Sequence, residues 1–344
     1  MQSIHYFAGA NTARGFVSRF HNIVPEENRR RMVYLKGGPG VGKSTLMKRV
    51  AEAAQEKGQE VVCFHCSSDP DSLDGVALPG TGVGLMDATA PHVYDPSIPG
   101  ARDVLISLGD YLDEKALVPH LGEIASIQRD IAARFRRCWR YLAAAGEVLH
   151  SAETAAEDEG KVEQLADEWA RTLPLRGGTG SVTELFASAF TPKGLLQITD
   201  FSHMERRVTL EVPFGAHATE LMRRIARKAA GRGLDVVLLL DPLTPEEVAH
   251  VLIPAHGVAF CTAARRTDQG EWLDADAVFR LREGSERELS FDRNACELLC
   301  QRASEQLASA HALHDELERF YIKNMDYEGW GRALARVLAW TQLA

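Results

Sequence analysis

The sequence predicts an α/β protein: a three-layer α/β/α fold, built twice in tandem, each copy followed by a helical hairpin. Three observations predict it. A glycine-rich loop near residue 40 lies between an apolar strand and a helix with an apolar stripe. Sliding the chain by 175 residues (206 − 31) lays a second copy of that pattern on the first without a gap. Long stretches with apolar residues every three or four positions follow each copy. A length of 344 residues suits about two domains. The expected divisions are an α/β domain at 1–110, a helical hairpin at 111–176, a second α/β domain at 181–292 and a helical segment at 293–344.

The first loop reads Gly37-Gly38-Pro39-Gly40-Val41-Gly42-Lys43-Ser44. This fits G-x-x-x-x-G-K-[ST], the phosphate-binding loop of P-loop NTPases. Met32–Lys36 before it is a short apolar strand. Lys43–Lys57 after it carries Leu46, Met47, Val50, Ala53 and Ala54 at helical spacing. Glycines let the backbone turn successive N–H groups inward as an anion nest, and the helix adds its positive end. Gly38, Pro39, Gly40, Val41, Gly42, Lys43, Ser44 and Thr45 are the expected nucleotide-binding residues. Lys43 would reach the β- and γ-phosphates of ATP, Thr45 the α-phosphate, and Ser44 would ligate Mg²⁺.

A magnesium site also needs a carboxylate at a strand end. Val83–Asp87 and Val236–Asp241 are both apolar runs ending in aspartate. The repeat chooses between them. Arg31–Ala88 falls on Arg206–Ala263 with about a third of positions identical, including Leu46-Met47 on Leu221-Met222 and Val61-Val62 on Val236-Val237. Upstream, FAGANTARG at 7–15 resembles FASAFTPKG at 186–194. Asp241 then aligns with Cys66, and Asp87 with Thr262. Asp87 is therefore the expected magnesium carboxylate, and Asp241 a structural strand-end residue. In the second copy Gly37 becomes Val212, Gly42 becomes His217 and Lys43 becomes Ala218, while Ser44 survives in kind as Thr219. Valine and histidine do not cheaply adopt the positive φ that glycine permits. One working site and one structural copy are expected, with His217 a loop surface residue.

Other chemistry is less marked. HCSSDPDSLDG at 65–75 reads as an acidic loop at a strand end, where open α/β sheets bind ligands. There Asp69, Asp71 and Asp74 either position water or a co-substrate, or form a turn and helix cap. Asp69 is the catalytic candidate. His92 and Asp95 are candidate substrate residues beside Asp87. Arg14, replaced by Lys193 in the second copy, is a candidate charge for the γ-phosphate, in the manner of an arginine finger in cis. Arg129, Arg134, Arg136, Arg137 and Arg140 crowd one predicted helix and read as a solvated face.

Composition sets limits. With 45% hydrophobic and 25% charged residues the chain is an ordinary globular one. A net charge of −9 argues against a nucleic-acid partner. No apolar run of about 18 residues is present, so no membrane span is expected. The amino end, MQSIHYFAGANTARGF, lacks a basic-then-apolar signal pattern, and the expectation is a cytoplasmic protein. The six cysteines are then expected as free thiols, with Cys63 and Cys66 packed in a strand.

HYFAGANTARGF, LKGGPGVGKSTLMK, HCSSDPDSLDG and DATAPHVYDPSIPGA together resemble a group of bacterial tandem P-loop ATPases found mainly in Firmicutes. The resemblance spans nearly the whole chain. It implies two P-loop NTPase domains, each with a helical appendage, and ATP binding. In that group the second half also carries an intact GKS-type loop, and this chain departs there. Three functions remain open at this stage. ATP hydrolysis could drive movement between the halves. A kinase could pass the γ-phosphoryl to a small molecule held by the 65–75 and 88–100 stretches. A nucleotide-gated module could bind a small-molecule or protein partner with little turnover.

Overall fold

The computed structural model describes residues 3–90, 93–152, 154–264, 270–282 and 286–343. Six strands form the first sheet: β1 (Ile4–Phe7), β2 (Arg31–Lys36), β3 (Val62–Cys66), β4 (Asp69–Leu78), β5 (Val83–Asp87) and β6 (Asp103–Ser107). Their order is β1-β3-β4-β5-β2-β6, and β4 alone runs antiparallel to its neighbours. The second sheet takes β7 (Val182–Leu185), β8 (Arg206–Glu211), β9 (Val236–Leu240), β10 (Val248–Ile253), β11 (Val258–Ala263) and β12 (Glu271–Leu273). Its order is β7-β9-β10-β11-β8-β12, with β10 alone antiparallel.

The registers match as well. Val33 faces Leu85 in the first sheet, and Val208 faces Phe260 in the second. Val62 faces Ala77, and Val237 faces Leu252. All four pairs obey the 175-residue shift read from the sequence.

The layering differs from the three-layer expectation. Helix α1 (Lys43–Glu56) buries Leu46, Met47, Val50, Ala51 and Ala54, a stripe at helical spacing, against Val33, Leu35 and Leu85. In the second unit α4 (Thr219–Gly231) covers Val208, Leu210 and Phe260 in the same way. Among the described residues the opposite faces carry no α-helix, only a short 3-10 turn at Phe20–Asn22. Met32, Tyr34, Phe64 and Met86 of the first sheet share one core with Leu239, Leu252 and Cys261 of the second, together with Phe20, Ile23, Val24 and Phe201. The reason is connectivity. β3, β4 and β5 follow one another by short turns, so the chain supplies no crossover helix for that face.

The helical segments also depart from two separate hairpins. Helix α2 (Leu121–Ser151) lies antiparallel along α5 (Glu286–Ile322): Arg134 reaches Gln306 at 3.4 Å, and the rings of His120 and Phe320 are 5.1 Å apart. The hairpin thus takes one helix from each half. The short helices cross over. Helix α3 (Glu159–Thr172) puts Val162, Ala166 and Trp169 into the second unit's core. Helix α6 (Tyr327–Trp340) puts Ala333 and Val337 into the first.

The halves meet reciprocally. Phe7 and Phe186, equivalent in the upstream repeat, exchange backbone hydrogen bonds of 2.9 and 3.0 Å. Arg14 pairs with Glu246 at 3.0 Å, and Lys193 with Asp71 at 2.9 Å. These two pairs are each other's images under the repeat, as a pseudo-two-fold axis requires.

Candidate functional site

The first glycine loop leaves the carboxyl end of β2 and enters α1. Gly40 and Gly42 hold φ of +70° and +85°, a region costly for any other residue. Lys43 opens α1, and its Nζ donates to the carbonyl oxygens of Gly37 and Gly38 at 2.7 and 2.9 Å. The same Nζ lies 3.6 Å from Asp87 Oδ2 at the end of the adjacent strand β5. The other Asp87 oxygen accepts from the Thr89 N–H at 2.8 Å, which fixes the carboxylate. Ser44 Oγ accepts from the Leu73 N–H at 3.0 Å and keeps a second lone pair free for a cation.

A cavity of about 340 Å³ lies over this loop. Pro39, Gly40, Val41, Gly42, Lys43, Ser44, Thr45, Asp69 and Asp87 all line it, so the structure brings nearly every expected site residue together. Gly38 is adjacent, beneath the ring of Tyr321.

The acidic stretch is not the loop the sequence suggested. From Asp69 onward it is the start of β4, paired irregularly with β3: Cys66 faces Asp69 and His65 faces Leu73. Its three aspartates part company. Asp69 borders the cavity. Asp71 points away and pairs with Lys193. Asp74 also lines the cavity but is buried, and burial, reinforced by the neighbouring Asp87 charge, pushes its carboxyl up to about 8.

Arg14 is not at the site. Its guanidinium is exposed and engaged by Glu246 of the other unit, and it does not line the cavity. The repeat explains why: Arg14 and Lys193 sit on equivalent hairpins that each reach across to the opposite unit. Asp95 pairs with Lys36 at 3.0 Å. His92 lies outside the described residues. All six cysteines are free, and burial pushes Cys63 up to about 11 and Cys66 well above its ordinary range. Neither is a thiolate at neutral pH.

What the sequence did not reveal is the cover of the site. Glu318, Tyr321 and Ile322 from the end of α5, and Trp330 from α6, lie against Gly38, Gly40 and Gly42. Glu318 Oε1 accepts from the Gly40 N–H at 3.0 Å. No motif marks these residues, and they lie some 280 positions from the loop in sequence.

The second loop keeps the path and loses the chemistry. Gly215 retains φ of +82°, and Thr219 Oγ1 accepts from the Val248 N–H at 2.9 Å, as Ser44 does from Leu73. Ala218, in the lysine position, is buried. Glu157 fills the start of α4, accepting from the N–H groups of Glu220 and Leu221 at 2.9 and 2.8 Å. Above lies a larger cavity of about 920 Å³, walled mainly by apolar groups such as Phe190, Phe214 and Leu243, with His217 on its lining. Asp241 caps its own turn by accepting from the Leu243 and Thr244 N–H groups.

A family model described as Nephrocystin 3, N-terminal, matches residues 16–77, a stretch holding β2, the glycine loop, α1, β3 and most of β4. No curated protein and no solved structure matches the chain. No helix among the described residues is long and apolar enough to cross a membrane.

Proposed function

We propose that the chain is a P-loop NTPase that binds ATP with Mg²⁺ at the first loop and hydrolyses it, and that the second unit is a copy of the first which no longer binds nucleotide. One observation carries this reading: a strand, a left-handed glycine loop and a helix bring Lys43, Ser44 and Asp87 to one cavity, with Lys43 Nζ 3.6 Å from the Asp87 carboxylate. Loop N–H groups and the end of α1 favour a polyphosphate, and Lys43 adds the compensating charge.

The donor set suits magnesium. Ser44 Oγ and an Asp87 oxygen are hard ligands of the kind that ion takes, and would hold it. When bound, the ion supplies charge neutralisation for the phosphates. The protein's own part is to orient. Lys43 is held by two loop carbonyls, Asp87 by Thr89, and Ser44 by Leu73. Asp69, which lines the cavity, would position the attacking group. The paired helices α2 and α5 run from this cavity to the second one, so they are the elements a change at the first loop would move.

Phosphate release with ATP and magnesium, alone and with candidate acceptors, tests the reading. Steady release without an acceptor supports it. Release only with an acceptor would make the chain a kinase. Tight binding without turnover would make it a nucleotide-gated module.

A further inference from the structure

We propose that Glu318 is a built-in stand-in for phosphate: its carboxylate occupies the anion nest and keeps nucleotide out until the end of α5 withdraws. This inference rests on the nucleotide site proposed above. The Gly40 N–H belongs to the nest that a polyphosphate would use. In this structure it donates to Glu318 Oε1 at 3.0 Å. A carboxylate and a phosphate compete for one donor, and two anions side by side repel.

The contact is more than one side chain. A Cβ on Gly40 would stand 2.9 Å from the Ile322 side chain and 3.1 Å from the Glu318 carbonyl oxygen. A Cβ on Gly38 would stand 3.0 Å from the Tyr321 ring, and one on Gly42 2.7 Å from the Trp330 indole nitrogen. The last turn of α5 and the first turn of α6 therefore lie directly on three glycines of the loop. The Trp330 indole N–H is buried there with no hydrogen-bond partner among the described residues. A polar group left unpaired in that position marks the closed arrangement as one that gives something up.

The plug is weak by design. Glu318 makes one bond to the loop, and a third of its side chain stays exposed. Glu157 in the second unit makes two bonds to a helix start. The first can be displaced and the second is part of the fold. The earlier turns of α5 wall the second cavity through Cys300 and Glu305, so withdrawal of its end is transmitted along one continuous helix.

Calorimetric titration of the full chain with MgADP and MgATP tests this. Glu318→Ala should bind about tenfold tighter than the wild type, the lower end for losing a charged hydrogen bond that nucleotide must displace. Glu318→Gln, which keeps the shape and loses the charge, should fall between. Amide exchange across 314–330 should quicken when nucleotide is added to the wild type. Equal or weaker binding by a folded Glu318→Ala protein overturns the gate. Should that variant not fold, Glu318→Gln binding no tighter than wild type overturns it. If Lys43→Ala binds nucleotide as well as the wild type, or no variant binds at all, the site reading itself fails and the gate with it.

Discussion

The two glycine loops of this chain share a strand, a left-handed turn and a helix, and meet opposite fates. Each leaves a parallel strand and enters a helix, and each has a left-handed glycine at one shared position, Gly40 or Gly215; the first adds a second at Gly42, where His217 stands in the other loop. Each helix-start hydroxyl, Ser44 or Thr219, accepts from the backbone N–H at the equivalent position of the antiparallel strand. The frame of a phosphate loop is therefore a structural device in its own right. What separates the two is charge. The first puts Lys43 beside Asp87, under a carboxylate tied to the loop by one bond and facing His314 at 3.7 Å. The second puts a buried alanine there and satisfies its helix start with Glu157. A fold can thus retain the cradle for packing after the lysine has gone, because a carboxylate from the chain can take over the helix end.

The comparison can be broken most sharply at Lys43. Lys43→Ala should weaken MgATP binding or turnover by about 100-fold or more, the scale for losing a charge aimed at the reacting group. Ala218→Lys should create no second site, because Glu157 still holds the N–H groups. Calorimetry finding two equivalents of nucleotide per chain would sink this contrast. Next is Asp74, which Ala249 replaces in the second unit. A carboxyl raised from 3.8 to about 8 makes the folded state bind the extra proton, so stability should fall as pH rises between about 4 and 8. The slope is at most about 1.4 kcal/mol per pH unit, and Asp74→Asn should flatten it in urea titrations. Smaller again is Glu157→Ala, which strips a helix start and should cost about 1–2 kcal/mol in thermal denaturation. Least of all, Arg14→Ala or Lys193→Ala removes an exposed ion pair between the halves. Either should leave stability little changed and nucleotide affinity unchanged; a large loss of turnover with Arg14→Ala would restore it as a catalytic arginine.

Local chemistry was legible in the sequence. Gly40, Lys43 and Ser44 announce their geometry because the motif, the strand before it and the helix after it lie within about 25 consecutive residues. The repeat carried further: it placed Asp87 beside the loop strand and Asp241 elsewhere, and the strand registers obey the same shift. Arg14 was misjudged because its partner, Glu246, is distant in sequence and lies in the other half. The same holds for the helices. Apolar spacing shows that α2 and α5 each have a buried stripe, and says nothing of which helix covers it. The Asp69–Leu78 strand was hidden for a different reason: three aspartates and a proline argue for a turn, and pairing on both sides overrode them.

The crossing of the short helices bears on biosynthesis. The core beneath the first glycine loop is completed by Met325, Ala333, Val337 and Leu343, which follow the whole second sheet in the chain. A ribosome must therefore deliver the whole second sheet and helix α6 before the first sheet can be sealed. Until then the α1 side of that sheet presents bare apolar surface, and the half that bears the lysine waits on the half that has lost it.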